Sequence, residues 1–186
     1  GNLCSARICD AQLVGSNAFM QGNYAEAGIG PGGFFGTTVN APAGYHPRND
    51  GGSLRMGFVS DSDDTGWTLP HGDFFFPGTP EEVWGLEIDG TAYNNSRNGP
   101  TDVAGTLSTP VCQTDGLPLG LGGPTVDWSA DAVLDGIQID KTFSIPDGSL
   151  MVRMDVVLEN VGAVTRDIYY MRSVDPDNDV SISGTY

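Results

Sequence analysis

Period-two alternation is clearest over Ile137-Gln138-Ile139-Asp140-Lys141-Thr142-Phe143-Ser144-Ile145. Isoleucine and phenylalanine alternate there with polar residues, which is the pattern of a half-buried β-strand, and Lys141 is the residue that breaks it. Pro146-Asp147-Gly148-Ser149 follows, with the residue types of a tight turn. The stretch therefore predicts a strand and then a reversal of the chain.

The same alternation continues toward the end of the sequence, so residues 137–186 are predicted to form an antiparallel meander. The inward face of the next strand consists of Leu150, Val152, Met154, Val156 and Leu158. A second turn at 160–163 precedes a third strand, Val164–Val174. A short last strand is predicted at Val180–Tyr186, and its edge would offer unpaired backbone groups to another chain.

Strand signals are weaker in the first two thirds of the chain. Strands are predicted at Leu54–Val59 and Val83–Ile88, and less clearly within Ala18–Ile29. Long turn-rich segments separate them at 30–50, 60–80, 90–110 and 114–124, and residues 1–50 are loop-rich. Helix signals are poor, since 27 glycines and 12 prolines favour turns, and Ser129–Leu134 would make one helical turn at most. The expectation is one all-β domain over residues 1–186, an antiparallel β-sandwich with long Gly/Pro/Asp-rich loops.

Composition excludes several classes of function. Lysine and arginine number 8 against 24 acidic residues, which gives a net charge of −16 and opposes binding to nucleic acid. A hydrophobic content of 39% is enough for a core. No apolar run reaches the roughly 18 residues of a transmembrane helix. Because the chain begins at Gly1 without methionine or a leader pattern, we expect a processed mature chain or an excised piece.

The cysteines suggest an oxidising compartment. Cys4, Cys9 and Cys112 allow one disulfide, either between the first two or from one of them to Cys112. Free buried thiols are the alternative, and zinc is disfavoured because the ligand set is incomplete. The single lysine and the excess of aspartate fit an extracellular or cell-surface protein, and Asn94-Asn95-Ser96 is a formal glycosylation sequon.

Two acidic loops are candidate calcium sites. Asp175, Asp177 and Asp179 alternate in a D-x-D-x-D pattern that suits the oxygen ligands of one hard cation, although Val180 at the sixth position departs from an EF-hand. The second loop contains Asp61, Asp63 and Asp64, whose mutual repulsion a divalent ion would relieve, and Asp73 would join it if the loop folds back. The alternative for both loops is an acidic solvated turn.

Five aromatic residues are a candidate sugar-stacking surface: Trp67, Phe74, Phe75, Phe76 and Trp84. Core packing is the commoner role of such side chains. Three consecutive phenylalanines on one strand cannot all point inward, so at least one is expected to face a partner or a covering loop.

Catalytic signals are weak, and the chain is not expected to be an enzyme. Gly28–Gly33 fits G-x-G-x-x-G formally, but Pro31 interrupts it and no helix follows, so a turn is predicted instead of a dinucleotide site. His46 and His71 are the two histidines, no G-x-S-x-G elbow is present, and His46 is interpreted as a loop anchor. Acidic residues are too numerous for any pair to indicate glycoside hydrolysis.

Several strings resemble domains of large secreted bacterial surface proteins: 44–46, 57–61 followed by 66–67, 72–75, 77–82 with Trp84, and 169–177. The C-terminal meander looks like part of a β-sandwich of the galactose-mutarotase-like kind. The resemblance spans roughly residues 44–179 and implies an extracellular, repeat-bearing or filament-forming context. It implies no activity, since the histidine and acid set of a true mutarotase is not matched.

These observations lead to one main hypothesis, a secreted cell-surface structural or adhesive module. Calcium would stabilise its acidic loops, and strand pairing with a second copy or a neighbouring domain would assemble it. The alternatives are a carbohydrate-binding module and, less favoured, a glycan-active enzyme.

Overall fold

The structure, a computed structural model, describes residues 8–47, 53–68, 72–75, 82–113 and 122–174. This part of the chain contains twelve β-strands and no helix. No helix there is long and apolar enough to cross a membrane. All strand pairings are antiparallel, so the prediction of an all-β protein is confirmed.

The strands form three sheets. In chain order the strands are β1 (Asp10–Val14), β2 (Asn17–Gln21), β3 (Ala25–Ile29), β4 (Phe58–Ser60), β5 (Glu82–Ile88), β6 (Thr91–Ser96), β7 (Gly105–Leu107), β8 (Val111–Gln113), β9 (Gly123–Ala130), β10 (Ile137–Ser144), β11 (Arg153–Asn160) and β12 (Ile168–Val174). A four-stranded sheet has the order β1-β2-β3-β4, and a three-stranded sheet has the order β12-β5-β6. The five-stranded sheet has the order β11-β10-β9-β7, with β8 also paired to β9.

The C-terminal strands are present, but the predicted meander is wrong after β11. β10 and β11 pair as a hairpin, whereas β12 pairs with β5 in the three-stranded sheet. Side-chain contacts fasten the start of β12 to the neighbouring turn: Asp89, between β5 and β6, accepts hydrogen bonds from Asp167 N at 2.9 Å and Arg166 Nη1 at 2.7 Å. The strand predicted at Val180–Tyr186 lies outside the described residues.

Strands also occupy segments that were predicted to be loops. β6 and β7 lie in the turn-rich segment 90–110, and β9 includes Ser129, where one helical turn had been considered. The region predicted as Ala18–Ile29 is a hairpin of β2 and β3, and the strand expected at Leu54–Val59 is the shorter β4. β9 does alternate, since Val126, Trp128 and Ala130 are buried while Asp127 and Ser129 are exposed.

The main core contains side chains from all three sheets, among them Met20, Trp84, Trp128 and Ile139. Trp84 of β5 meets Trp128 of β9 edge to face, with 5.7 Å between ring centroids, so the three-stranded and five-stranded sheets are in direct contact. A smaller cluster packs on the four-stranded sheet and consists of Phe19, Tyr45, Met56, Val59 and Trp67.

A disulfide joins Cys9 to Cys112, which are 103 residues apart in sequence. Cys9 directly precedes β1 of the four-stranded sheet, and Cys112 lies in β8 beside β9. The bond therefore links two sheets covalently. Of the pairings that the sequence left open, this is the one in the structure, and Cys4 lies outside the described residues.

Candidate functional site

The glycine-rich turn after β3 is held between sheets by side chains that bind three consecutive carbonyl oxygens. The Pro31 carbonyl accepts from Trp128 Nε1 at 2.8 Å, and the Gly32 carbonyl accepts from Trp84 Nε1 at 2.9 Å. The Gly33 carbonyl accepts from Lys141 Nζ at 3.0 Å. Gly33 has a φ of +67°, and a Cβ there would lie 2.6 Å from the Trp128 ring, so glycine is required. The G-x-G-x-x-G string is thus a structural turn, as predicted.

Three buried or half-buried charges lie beside this turn. Lys141 is 1% exposed, and its Nζ lies 3.5 Å from the centroid of the Trp84 ring. Glu82 is fully buried; its carboxylate accepts from Arg172 Nε at 2.7 Å and from the Phe35 backbone N–H at 2.7 Å. Burial lowers the pKa of Lys141 to about 6, although the negative charge of Glu82 opposes the shift.

This charged cluster is enclosed, which decides its role. Neither Lys141 nor Glu82 reaches solvent, so an external substrate has no access to the amine or the carboxylate. The cluster instead connects β10 with β5, β12 and the glycine-rich turn. Sequence reasoning treated Lys141 as an interruption of the strand and did not identify the cluster.

Asp61 stabilises its own loop. Its carboxylate accepts from Thr65 N at 3.0 Å, Thr65 Oγ1 at 2.6 Å and Trp67 N at 2.8 Å. Desolvation raises the pKa of Asp61, but the hydrogen bonds from Thr65 and the backbone N–H groups outweigh it, so the pKa lies below its usual value. The loop is tightly turned, since Trp67 has a φ of +65° and its backbone N–H donates a hydrogen bond to the Asp61 carboxylate.

Asp63 and Asp64, the other predicted ligands of this loop, are exposed. No cluster of three His, Cys, Asp or Glu residues suited to a metal ion is found among the described residues, and calcium binding at this loop stays a prediction. Asp73 does not join this loop, because it accepts from Gly57 N at 2.6 Å and Phe58 N at 3.0 Å. Asp175, Asp177 and Asp179 lie outside the described residues, so their calcium site stays a prediction.

His46 and the buried Glu26 form a second pair that sequence reasoning only half identified. Glu26 accepts from the His46 backbone N–H at 2.8 Å and faces His46 Nδ1 at 2.7 Å. Desolvation raises the pKa of Glu26, while its hydrogen bonds to His46 oppose the rise. The imidazole stacks on Trp67, with centroids 4.7 Å apart. The interpretation of His46 as a loop anchor is confirmed, and His71 lies outside the described residues.

The tryptophans are core residues, so a sugar-stacking surface built on them is wrong. Trp84 is 0% exposed and Trp67 is 8% exposed, because each is covered by neighbouring sheets and loops. Phe75 is half-buried and stacks on Phe35, and Phe74 packs against Phe58. Phe76 lies outside the described residues.

Exposed apolar side chains are concentrated near the C-terminal strands. Of the 13 large hydrophobic residues exposed in the described part of the chain, eight lie between residues 150 and 174. They are Leu150, Met151, Val157, Val161, Val164, Tyr169, Met171 and Val174. β11 and β12 are also terminal strands in the order of their sheets. This end of the fold therefore combines apolar surface with free strand edges among the described residues.

No family model, curated protein or solved structure matches the chain. The function has to be inferred from the geometry of the chain itself.

Proposed function

We propose that the chain is a secreted β-sandwich that works as a structural or adhesive module at a cell surface and assembles through a sheet edge. The edge of β12, which has no neighbouring strand among the described residues, is the observation that carries this proposal. The edge-to-face contact of Trp84 in β5 with Trp128 in β9 supports a sandwich architecture, because it packs one sheet against another. Assembly would extend the three-stranded sheet by a strand from a second copy.

The disulfide supports the proposed location outside the cell. A bond between Cys9 and Cys112 persists in oxidising compartments and is rare in the reducing cytosol. It joins two sheets across 103 residues, which suits a module that must keep its shape outside the cell.

The edge of β12 suits strand addition because it has few of the features that normally block it. The strand is seven residues long, and it contains neither proline nor lysine. Tyr169 and Met171 are 69% and 57% exposed on its outer side, and the inward Tyr170 is only half-buried. Short edge strands, lysine, proline and inward-pointing charges are the usual protection against edge-to-edge pairing, and of these β12 has only the inward Arg172, whose charge is paired with Glu82.

Substitution of Ser173 tests the edge directly. Ser173 is exposed on β12, so Ser173→Lys introduces a charge there without disturbing the core. Ser129→Lys is the matched control, because Ser129 is exposed on β9, which has neighbours on both sides. We expect concentration-dependent oligomers in light scattering and filaments or paired particles in negative stain, reduced by Ser173→Lys and retained by Ser129→Lys. A wild-type chain that stays monomeric at all concentrations would refute assembly through this edge.

Calcium is a separate part of the proposal, and it depends on Asp175, Asp177 and Asp179. An ion that binds only the native chain raises the melting temperature by mass action. We expect millimolar calcium to raise the melting temperature relative to chelator, and Asp177→Asn to abolish that rise. If calcium does not change the melting temperature, calcium binding is rejected, and assembly through the edge of β12 is unaffected.

A further inference from the structure

The outer face of the three-stranded sheet has a groove over Gly85, in the middle of the central strand β5. Gly85 pairs with Met171 of β12 on one side and with Asn94 of β6 on the other. The side chains that border the groove are Tyr169, Met171, Glu87, Ala92 and Asn94.

The fold itself gives no reason for glycine at position 85. Pairing on both sides of Gly85 is regular and contains no bulge, and its φ is not positive. A Cβ would lie 3.0 Å from Asn94 Oδ1 and 3.7 Å from Met171 Cε, and both atoms belong to side chains that can shift. Glycine inside a strand costs roughly 0.5–1 kcal/mol relative to alanine. Close approach of a ligand or of another backbone is a further reason for such a glycine, and the groove leaves space for a ligand.

The chemistry around the groove fits a sugar. Tyr169, 69% exposed, presents an aromatic ring on the same cross-strand row as Glu87. Neither Glu87 nor the amide of Asn94 has a side-chain hydrogen-bond partner among the described residues, so both are available to hydroxyl groups. An aromatic face beside a few polar groups that fix orientation is typical of a small-ligand site. No basic side chain is among the described residues that line the groove, and the chain carries a net charge of −16, so sulfated or uronic-acid glycans would be repelled.

We propose that the Gly85 groove binds a neutral saccharide, with the sugar ring on Tyr169 and hydroxyl groups on Glu87 and Asn94. The groove would supply the adhesive contact, so this inference rests on the proposed function. It uses the outer face of the sheet, whereas assembly uses the edge of β12.

A panel of immobilised neutral hexose and N-acetylhexosamine oligosaccharides, with sulfated and uronate glycans beside them, tests the proposal on the full chain. We expect binding to neutral members only. Tyr169→Ala removes the ring and should weaken binding about tenfold or more, whereas Tyr169→Phe keeps it and should bind as the wild type does. Gly85→Val fills the groove with a residue suited to a strand and should abolish binding. Val157→Ala, on the exposed face of β11, is the control that should bind normally.

Melting curves of each variant separate loss of the site from loss of the fold. Binding to no neutral glycan, binding that survives Gly85→Val in a folded protein, or binding restricted to anionic glycans would overturn the proposal. Light scattering measures oligomer formation independently of glycan binding, so loss of glycan binding with oligomers intact would reject this inference and leave the proposed function standing.

Discussion

Replacing Lys141 by methionine should stabilise the protein at neutral pH. Lys141 is 1% exposed, and desolvation lowers its pKa to about 6 against 10.5 for an ordinary lysine. Methionine has a similar length, fills the same space beside Trp84 and Trp128, and carries no charge to desolvate. The hydrogen bond from Nζ to the buried Gly33 carbonyl would be lost, at a cost of about 1–3 kcal/mol because that oxygen loses its partner.

The pH dependence follows from the two pKa values of Lys141. Between pH 6 and 10.5 the unfolded chain binds one more proton than the native chain, so burial of Lys141 makes the free energy of unfolding rise with pH. The destabilisation caused by burying Lys141 is complete below pH 6 and absent above pH 10.5. The slope is about 1.4 kcal/mol per pH unit, so the wild type should gain about 3 kcal/mol between pH 7 and pH 9. Tyr45 and Tyr170 have raised pKa values and weaken the fold only as tyrosine begins to ionise, near pH 10.

Urea unfolding of wild type and Lys141→Met at pH 7, 8 and 9 measures the difference. We expect the variant to be the more stable protein at pH 7 and the advantage to shrink toward pH 9. The competing effect is the attraction of an ammonium to the Trp84 ring, at 3.5 Å from its centroid, which is worth about 2 kcal/mol when desolvated. A variant less stable than the wild type at pH 7, with the same pH slope, would refute the reasoning and show that the lysine stays charged.

Three further outcomes are expected. Cys9→Ser should lower the free energy of unfolding by up to about 5 kcal/mol, because the bond closes a loop of roughly 100 residues, while Cys4→Ser leaves it unchanged in non-reducing denaturation. Asp61→Asn should cost about 2 kcal/mol through weakened charge-assisted hydrogen bonds, equally with calcium and with chelator; a loss seen only with calcium would identify Asp61 as a ligand instead. Glu26→Gln should speed amide hydrogen exchange at His46, and an unchanged exchange rate would contradict the anchoring role of Glu26.

Strands in which apolar residues recur at every second position were predictable from the sequence even where a buried charge interrupts them, whereas β6 was not. β5, β10 and β12 were predicted within a few residues, although Glu82 and Lys141 are buried in the first two. β6 contains Asn95, which is fully buried and satisfied by the carbonyls of Gly32 and Val103. Those partners come from another part of the fold, so no local pattern shows that Asn95 belongs to a strand.

The candidate sites, like the strands, were predictable only where a local sequence pattern revealed them. The position of Cys112 beside Cys9 depends on the pairing of β8 with β9, which the sequence does not reveal, so the disulfide remained one of several pairings. Tyr169 is exposed on β12, which pairs with β5, whereas Trp84 of β5 is buried. Core packing was already the commoner role expected of Trp84, while the placement of Tyr169 beside β5 depends on a strand pairing that the sequence did not predict.

The buried cluster could have been predicted from charged residues that occupy the apolar positions of alternating strands. Lys141 follows Ile137 and Ile139 in phase, Glu82 precedes Trp84 and Leu86 in phase, and Arg172 follows Ile168 and Tyr170. Period-two geometry places all three on inward faces, where a charge is tolerated only with partners. The inward position of each charged residue can be predicted from the alternation of its own strand. Its hydrogen-bonding partners cannot, because they depend on how β5, β10 and β12 pack together. Five acidic side chains are also buried, namely Glu26, Asp61, Asp73, Glu82 and Asp147, so burial does not make the surface more acidic than the composition suggests. The expectation of a neutral ligand therefore rests on the net charge of −16 itself.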